Sequence, residues 1–399
     1  MLSLREAQRN ERLHALEVGL IAPFFVIAVQ FLPVLVARLD ASPLLLGVFV
    51  SGSAAALTVA SALGAVWLRR FPDFTRSTVL PALVWRFVLL VVAGLLLIQA
   101  RVEILVVIVV VMHLAAGLTT VGFVAFMPYT TLPERLSWLT SMRWTVLALG
   151  IMVCTALIGL ILEGFQFPLN YVLVCVGATL IGALSSYALA RFRPVPAVLP
   201  TGKASGAASG GFAALLRHAP ARDYLWITLL AHTLFQAQVP LLTLRFVRDL
   251  GVSDADFSGY VAIFWGATGL FGLLVPRLTQ WIGDLRSFAL SCVGLGAQGI
   301  ILGLAQTLPT TWFAGVIGGA ASVLFQVTTF SLLVACAPKG HYEAFVSAHT
   351  TAVNAAALLG PLAASALNEA GLSVVSGLTL VGLARILLGG LTIWQLRLQ

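Results

Sequence analysis

Long apolar runs alternate with short polar joints along almost the whole chain. Measured from charge to charge, the runs cover residues 16–37, 44–67, 79–100, 104–126, 143–163, 168–190, 224–246, 257–280, 288–308, 311–335, 344–367 and 372–396. About 20 consecutive apolar residues cross the hydrocarbon core as a helix. The pattern therefore predicts an all-α polytopic membrane protein with twelve transmembrane helices. A transmembrane barrel would show roughly 10-residue segments of alternating polarity instead, and runs this continuous exclude it. The first run follows Arg5, Arg9 and Arg12 as a signal peptide would, but its length and the spans behind it predict a retained helix.

Between the sixth and seventh runs the pattern stops. Residues from Arg191 to Gly211 are rich in Pro, Gly, Ala and Ser, the composition of a flexible linker. The expected organisation is a six-helix bundle over 1–192, a cytoplasmic linker over 193–221 and a second six-helix bundle over 222–399. Three short stretches repeat in the same order across the linker. Leu39 to Gly47 is similar to Leu250 to Gly259, Pro133 to Ser141 to Pro338 to Ser347, and Gly177 to Leu184 to Gly377 to Ala384. A parallel structural repeat produces such a pattern.

Composition agrees with a membrane chain: 60% of the 399 residues are hydrophobic and 10% are charged, against about one quarter charged in a soluble domain. The net charge of +8 gains its meaning from its distribution. Of the 23 Lys and Arg residues, 17 fall on one set of alternate loops and the termini, 4 on the other set, and Arg86 and Arg385 lie inside runs. The positive-inside rule then places both termini in the cytoplasm. The basic balance is topology, and no nucleic-acid partner is expected. Cys154, Cys175, Cys292 and Cys336 all fall in apolar runs without C-x-x-C spacing, so inert buried thiols are expected, with no metal and no cofactor.

Twelve runs, the linker and the repeat resemble the major facilitator superfamily of secondary transporters over essentially the whole chain. The family's loop between helices two and three usually reads Gly-x-x-x-Asp-Arg-x-Gly-Arg/Lys. Counting from Gly47 places Gly64 at its first position, Leu68 at the acid, Arg69 at the arginine and Phe71 at the second glycine. The same count from Gly259 places Pro276, Gln280, Trp281 and Gly283 there. The acid is missing in both halves, so a latch of the first loop either passes to Asp73, beside Arg69 and Arg70, or is absent. The Gly-Pro element that the family often carries in the fifth helix stands here in the eleventh, as Gly360-Pro361.

The resemblance implies that helices one, four, seven and ten line a central cavity with the substrate near the midplane. These helices hold most of the strongly polar intramembrane side chains: Gln30, His113, His232, Gln236, Gln238 and Gln326. Lipid offers such groups no partner, so they are expected to face protein or water. His113 is ten residues from Glu103 and His232 nine from Asp223, which sets both about 15 Å into a core about 30 Å thick. His14 lies short of that depth. For the two deep histidines the alternatives are an interhelical hydrogen bond or a proton-coupling or substrate-binding role; for the glutamines, interhelical contact or substrate contact. Pro23, Pro33 and Pro240 each free a backbone carbonyl, and Pro23 and Gln30, seven apart, are expected on one helix face.

Every Asp and Glu falls in a loop or at the end of a run, Glu17 and Glu163 coming closest to entering. That disfavours an intramembrane carboxylate relay and a dedicated cationic substrate. Arg86 and Arg385 are the costly intramembrane charges, expected either to anchor to carbonyls or a loop carboxylate or to serve anion binding or gating. Glu134, Arg135 and Arg143, ahead of the fifth helix, and Lys339, His341 and Glu343, ahead of the eleventh, are expected to pair across the cytoplasmic mouth as gating charges.

No phosphate-cradling Gly-Lys-Ser/Thr loop and no H-E-x-x-H occurs, so neither an ATP-driven pump nor a metallohydrolase is expected, nor an enzyme of any other kind. The function expected is transport of a small organic solute by alternating access. The cavity positions, with Phe31, Phe235 and Trp265 among them, point to an uncharged or amphiphilic compound, with efflux favoured over uptake. The alternative is a non-transporting membrane factor that binds or delivers a lipid or pigment. The expected setting is a bacterial inner membrane, with a monomer, the lipid bilayer and the small-molecule substrate as the only partners.

Overall fold

The structure is a computed structural model, described for residues 3–132, 135–193, 215, 217–338 and 342–397. The described residues are helical apart from short joints. Eleven helices are long and apolar enough to cross a membrane, and a bent pair makes up to twelve.

Helix α1 (Leu4–Phe25) opens on a reciprocal cap in which Ser3 Oγ accepts from the Glu6 N–H and the Glu6 carboxylate accepts from the Ser3 N–H. It starts twelve residues before the apolar run, because Ala7, Asn10, Glu11 and His14 form a buried stripe that continues the packed face of the span. A π-helical turn at Val26–Phe31 joins α1 to α2 (Leu32–Arg38). Pro33 in the first turn of α2 has no N–H to give to the preceding turn, and the wider turn absorbs the loss. It also shifts the helical register, so the seven-residue spacing no longer returns Gln30 to the face of Pro23.

Helix α3 (Pro43–Arg70) precedes a second π-helical turn, Thr75–Val79, which leads into α4 (Leu80–Arg86) and α5 (Val88–Leu97). Here again a proline, Pro81, follows the wide turn. The carbonyl four residues before it, that of Ser77, accepts the Trp67 indole N–H at 2.9 Å instead of a helical N–H. Helices α6 (Val102–Phe126), α7 (Leu136–Gly164) and α8 (Leu169–Ala190) complete the first series. Arg143 therefore lies inside α7, not in the joint ahead of it.

Beyond the linker, of which 194–214 lie outside the described residues, come α9 (Ala219–Leu244), a π-helical turn at Arg245–Asp249, and α10 (Asp254–Gly272) with α11 (Val275–Ile282). The run expected as one span over 257–280 is broken, α10 and α11 meeting at 57°. Pro276 at the start of α11 removes an N–H that a continuous helix would need. Helices α12 (Asp284–Leu304), α13 (Leu308–Ala335), α14 (Tyr342–Glu369) and α15 (Val374–Arg397) follow.

Two compact units result. The first comprises the described residues within Met1–Ala41, Gly52–Gly202 and Ser253–Ala262; the second, those within Ser42–Ser51, Lys203–Val252 and Ile263–Gln399. In the first unit α1 packs on α7 and α8, and α4 on α6. In the second, α12 packs on α13 and α15, and α9 on α14. Each unit thus holds a ten-residue segment from the other side of the linker: the start of α3 packs in the second unit and the start of α10 in the first. Close approach requires small residues at both places. A Cβ on Gly47 would lie 2.5 Å from the Ser365 Cβ, and a Cβ on Gly159 would collide with Ser258.

Candidate functional site

In the second unit the polar side chains of α9 divide into two sets. His232 Nδ1 lies 3.0 Å from the Thr228 carbonyl, which assigns the proton to Nδ1 and leaves Nε2 as an acceptor. Its ring rests against Phe325 at 5.0 Å and meets the His349 ring edge-on at 6.2 Å. His349, from α14, lies 3.1 Å from the Tyr224 hydroxyl, which donates to the Thr329 carbonyl at 2.9 Å. Gln236 is half-buried and makes no hydrogen bond among the described residues. Gln326 on α13 is exposed and reaches only Ser322 Oγ, at 3.4 Å. Together, His232, Gln236, Gln326 and the histidine that sequence reasoning missed, His349, offer unspent hydrogen-bonding capacity.

Gln238 belongs to the other set. It is buried, and its Oε1 accepts from Arg385 Nη1. Arg385 also donates to the carbonyls of Leu295 at 3.1 Å and Leu234 at 2.8 Å and sits over the Phe235 ring. Gln238 is thereby the anchor of an intramembrane cation, a role that leaves its carbonyl oxygen occupied. Arg385 is 2% exposed and meets no carboxylate among the described residues, and its Nε has no acceptor.

In the first unit, His113 is buried against Trp85 at 4.3 Å, with Nδ1 2.8 Å from the Val109 carbonyl. The hydrogen bond stays within α6, and Trp85 is the ring that meets His113 from α4. Gln30 lies in the π-helical turn, half-buried and without a hydrogen bond among the described residues.

The charges of this unit form a network centred on the first helix. Glu17, at the start of the first apolar run, is buried. It accepts from Arg143 Nη1 at 2.8 Å, and from Arg86 Nη2 and Ser185 Oγ at 3.4 Å each. Arg143 Nη1 also donates to His14 Nδ1 at 2.9 Å, and His14 Nε2 lies 2.8 Å from Thr130 Oγ1. His14 is therefore a fully buried linchpin. One turn earlier, Glu11 takes both Nε and Nη2 of Arg135 at 2.7 Å and the Thr131 hydroxyl at 2.8 Å. The bidentate contact with Glu11 holds the Arg135 guanidinium above its usual pKa. Arg135 and Arg143 are thus bound to acids of their own unit, where pairing with the charges ahead of α14 was expected. Glu134, ahead of α7, and Lys339 and His341, ahead of α14, lie outside the described residues, as does the side chain of Glu343. The sequence signal for the network was the i, i+3, i+6 series Glu11, His14, Glu17 across the start of the first apolar run, a polar stripe along one side of the helix.

After α3, Asp73 pairs with Arg76, and not with Arg69 or Arg70 among the described residues. Asp73 Oδ1 accepts from the Arg76 N–H at 2.9 Å, and its carboxylate lies 3.8 Å from Arg76 Nε. Arg69 and Arg70 are exposed and form no ion pair among the described residues. Leu68, at the position of the family's acid, packs against the apolar cluster of Phe74, Phe126, Leu189 and Phe192.

In the first unit, Asp254 at the start of α10 accepts from Arg38 Nε at 2.8 Å and from the Tyr171 hydroxyl at 3.1 Å. In the second unit the Leu44 N–H donates to Glu369 at 3.3 Å. These bonds hold the two exchanged segments where Gly159 and Gly47 permit close contact.

The architecture has solved counterparts. The nucleoside transporter NupG superposes with a TM-score of 0.73 at 11% identity, covering 98% of this chain and 99% of that one. The POT family transporter PepTSo gives 0.70 at 12% identity over 100% and 98%. The xylose transporter XylE from E. coli gives 0.67 at 13% identity over 98% and 96%. At such identities the likeness is one of fold. No curated protein matches the sequence. The family model described as Major Facilitator Superfamily matches residues 18–361. The chain belongs to the major facilitator superfamily.

Proposed function

We propose that the protein is a secondary transporter that moves a small organic solute across the membrane by alternating access. The observation that carries this reading is the pair of exchanged segments. Ser42–Ser51 and Ser253–Ala262 each pack in the unit of the opposite sequence half, with glycine at the close contacts Gly47–Ser365 and Gly159–Ser258. Contacts of that kind separate without unfolding either bundle. Family membership supports the same reading and disfavours the lipid- or pigment-delivery alternative.

In this reading residues 1–192 and 222–399 are the rocking bundles, 193–221 is their linker, and the termini lie in the cytoplasm of a bacterial inner membrane. The protein works as a monomer. Substrate meets Gln30 and His113 from one bundle and His232, Gln236 and Gln326 from the other, with Gln238, Arg86 and Arg385 supporting the walls. These groups suit an uncharged or amphiphilic solute, and export is favoured over uptake. Arg69, Arg70 and Asp73, with Arg135, Arg143, Glu134 and Glu343, stand at the cytoplasmic mouth.

The test is a thermal-shift screen of the purified chain against a metabolite and drug library, since a ligand bound only by the folded state raises its stability. The expected hit is weakened by His232→Ala and by Gln236→Ala but not by Arg277→Gln at an exposed site. Equal effects of all three would overturn the assignment of the site.

A further inference from the structure

The hydrogen bonds of the second unit fix which nitrogen of each histidine is free. His232 Nδ1 faces the Thr228 carbonyl at 3.0 Å, and a carbonyl only accepts, so the proton sits on Nδ1 and Nε2 carries a lone pair. For His349 the assignment passes through Tyr224. That hydroxyl has one proton, and it goes to the Thr329 carbonyl at 2.9 Å. The 3.1 Å contact between the Tyr224 oxygen and His349 Nδ1 then requires Nδ1 to donate. Both neutral rings therefore present Nε2 as an acceptor.

Three helices build the surroundings of these nitrogens. His232 from α9 and His349 from α14 meet edge-on at 6.2 Å, and Phe325 of α13 backs His232 at 5.0 Å. Both histidines are half-buried; neither Nε2 is sealed in the interior, and neither makes a hydrogen bond among the described residues. Gln236, one turn beyond His232, is set against α14, where a Cβ on Gly360 would stand 3.1 Å from the Gln236 Cβ. Thr329, whose carbonyl takes the Tyr224 proton, is buried with its own Oγ1 unpartnered. The cluster holds an excess of acceptors, a buried hydroxyl still to be satisfied, and no carboxylate.

Complementarity then selects the occupant. A carboxylate or phosphate brings acceptors only, and would set its lone pairs against those of two imidazoles. An ammonium would donate, but it would find no counter-charge, and a buried cation already stands two rings away: Arg385 lies over Phe235, which stacks on Phe325. An uncharged hydroxyl meets both demands, since its proton goes to an imidazole nitrogen and its oxygen accepts from a glutamine amide. We propose that this site takes a neutral solute rich in hydroxyl groups, that His349 contacts it beside His232, and that Tyr224 is the positioning residue that holds the His349 tautomer. The inference rests on the transport reading for the existence of the site and narrows its substrate class.

The full chain with isotope-labelled histidine is reconstituted in nanodiscs, and its imidazole nitrogens are read by solid-state NMR at mildly alkaline pH. His232→Gln and His349→Gln assign the two signals by deletion. Both rings are expected to carry the proton on Nδ1, and Tyr224→Phe is expected to move His349 toward the Nε2–H form while His232 keeps its own. A proton on Nε2 of either ring in the wild type overturns the proposal. Binding is followed by thermal shift with a panel of pentitols, hexitols and pyranosides, each beside its fully O-methylated ether, which keeps the acceptors and loses the donors. At least one free-hydroxyl member is expected to raise the melting temperature of the wild type while its ether does not. Its affinity is expected to fall about three- to tenfold in His349→Phe and to return in large part in His349→Gln, whose amide oxygen accepts. Equal losses in those two variants overturn the role of His349. Ethers as effective as their parents, or no effective free-hydroxyl member, overturn the solute class. A hit from the metabolite and drug library that lacks hydroxyl donors yet is weakened by His232→Ala overturns the class and leaves the transport site standing; the absence of any hit sensitive to His232→Ala overturns the site itself.

Discussion

The perturbation that probes the buried network most sharply is Glu17→Gln. In the folded chain one carboxylate serves two guanidiniums, Arg143 at 2.8 Å and Arg86 at 3.4 Å, and the Arg86 side chain is 2% exposed. At an effective dielectric of about 20 these separations correspond to roughly 6 and 5 kcal/mol of gross attraction, most of it offset by the desolvation of the three ions. Removing the one anion leaves that desolvation uncompensated, and breaking a buried pair costs about 3 to 5 kcal/mol. The Gln amide still accepts from one arginine through its oxygen, but turns donors toward the other. The expected result is a loss in that range, read by equilibrium titration with sodium dodecyl sulfate in mixed micelles through the fluorescence of the nine tryptophans. Adding Arg86→Met to Glu17→Gln removes one stranded cation and is expected to restore about half of the loss. A loss below about 1 kcal/mol, or no recovery in the double variant, would refute the network as described.

Other consequences are equally concrete. Gln238→Leu takes an acceptor from buried Arg385 and is expected to cost about 1.5 to 3 kcal/mol in the same titration, whereas Arg385→Met, which removes the buried charge itself, is expected to be close to neutral. Trp67→Phe strands the Ser77 carbonyl before Pro81 and is expected to cost about 0.5 to 1.5 kcal/mol; a smaller change would mean that the carbonyl finds water. Gly159→Val forces the start of α10 away from α7 at a cost of about 1 to 3 kcal/mol, which raises maleimide labelling at Ala255→Cys by about fivefold or more; an unchanged rate would dismiss the close contact. Arg38→Gln removes the ion pair with Asp254 and is expected to raise labelling at the same site by a smaller factor.

Much of the fold could be read from the chain because hydrocarbon admits so few structures: a long apolar run has to be a helix. The expected runs correspond to helices throughout, and the departures have local causes. Pro276 breaks α10 from α11, Pro33 and Pro81 follow π-helical turns, and the buried polar stripe Ala7 to His14 extends α1 below its apolar segment. Partners were harder to read than elements. Glu17 looked like a boundary residue because hydropathy measures cost and not pairing, and its two arginines lie 69 and 126 positions away. Gln238 looked like a cavity ligand for the same reason, since its partner Arg385 is 147 positions distant. His349 follows a polar, weakly patterned joint and carried no signal of its own; only the packing of α14 on α9 brings it to His232. Leu68 was the clearest case in the other direction, where a missing acid in the sequence corresponds to an apolar contact in the structure.

The central claim is that the exchanged segments release and return. Spin labels at Leu44→Cys and Leu367→Cys, both exposed, the first at the Leu44–Glu369 contact and the second two residues from it, report on it in a background with the four native cysteines replaced. Double electron–electron resonance of the chain in nanodiscs is predicted to show a short distance and a longer one, with the balance moved by any compound that stabilises the protein in the screen. One short distance, unchanged by every stabilising compound, would contradict alternating access in this chain.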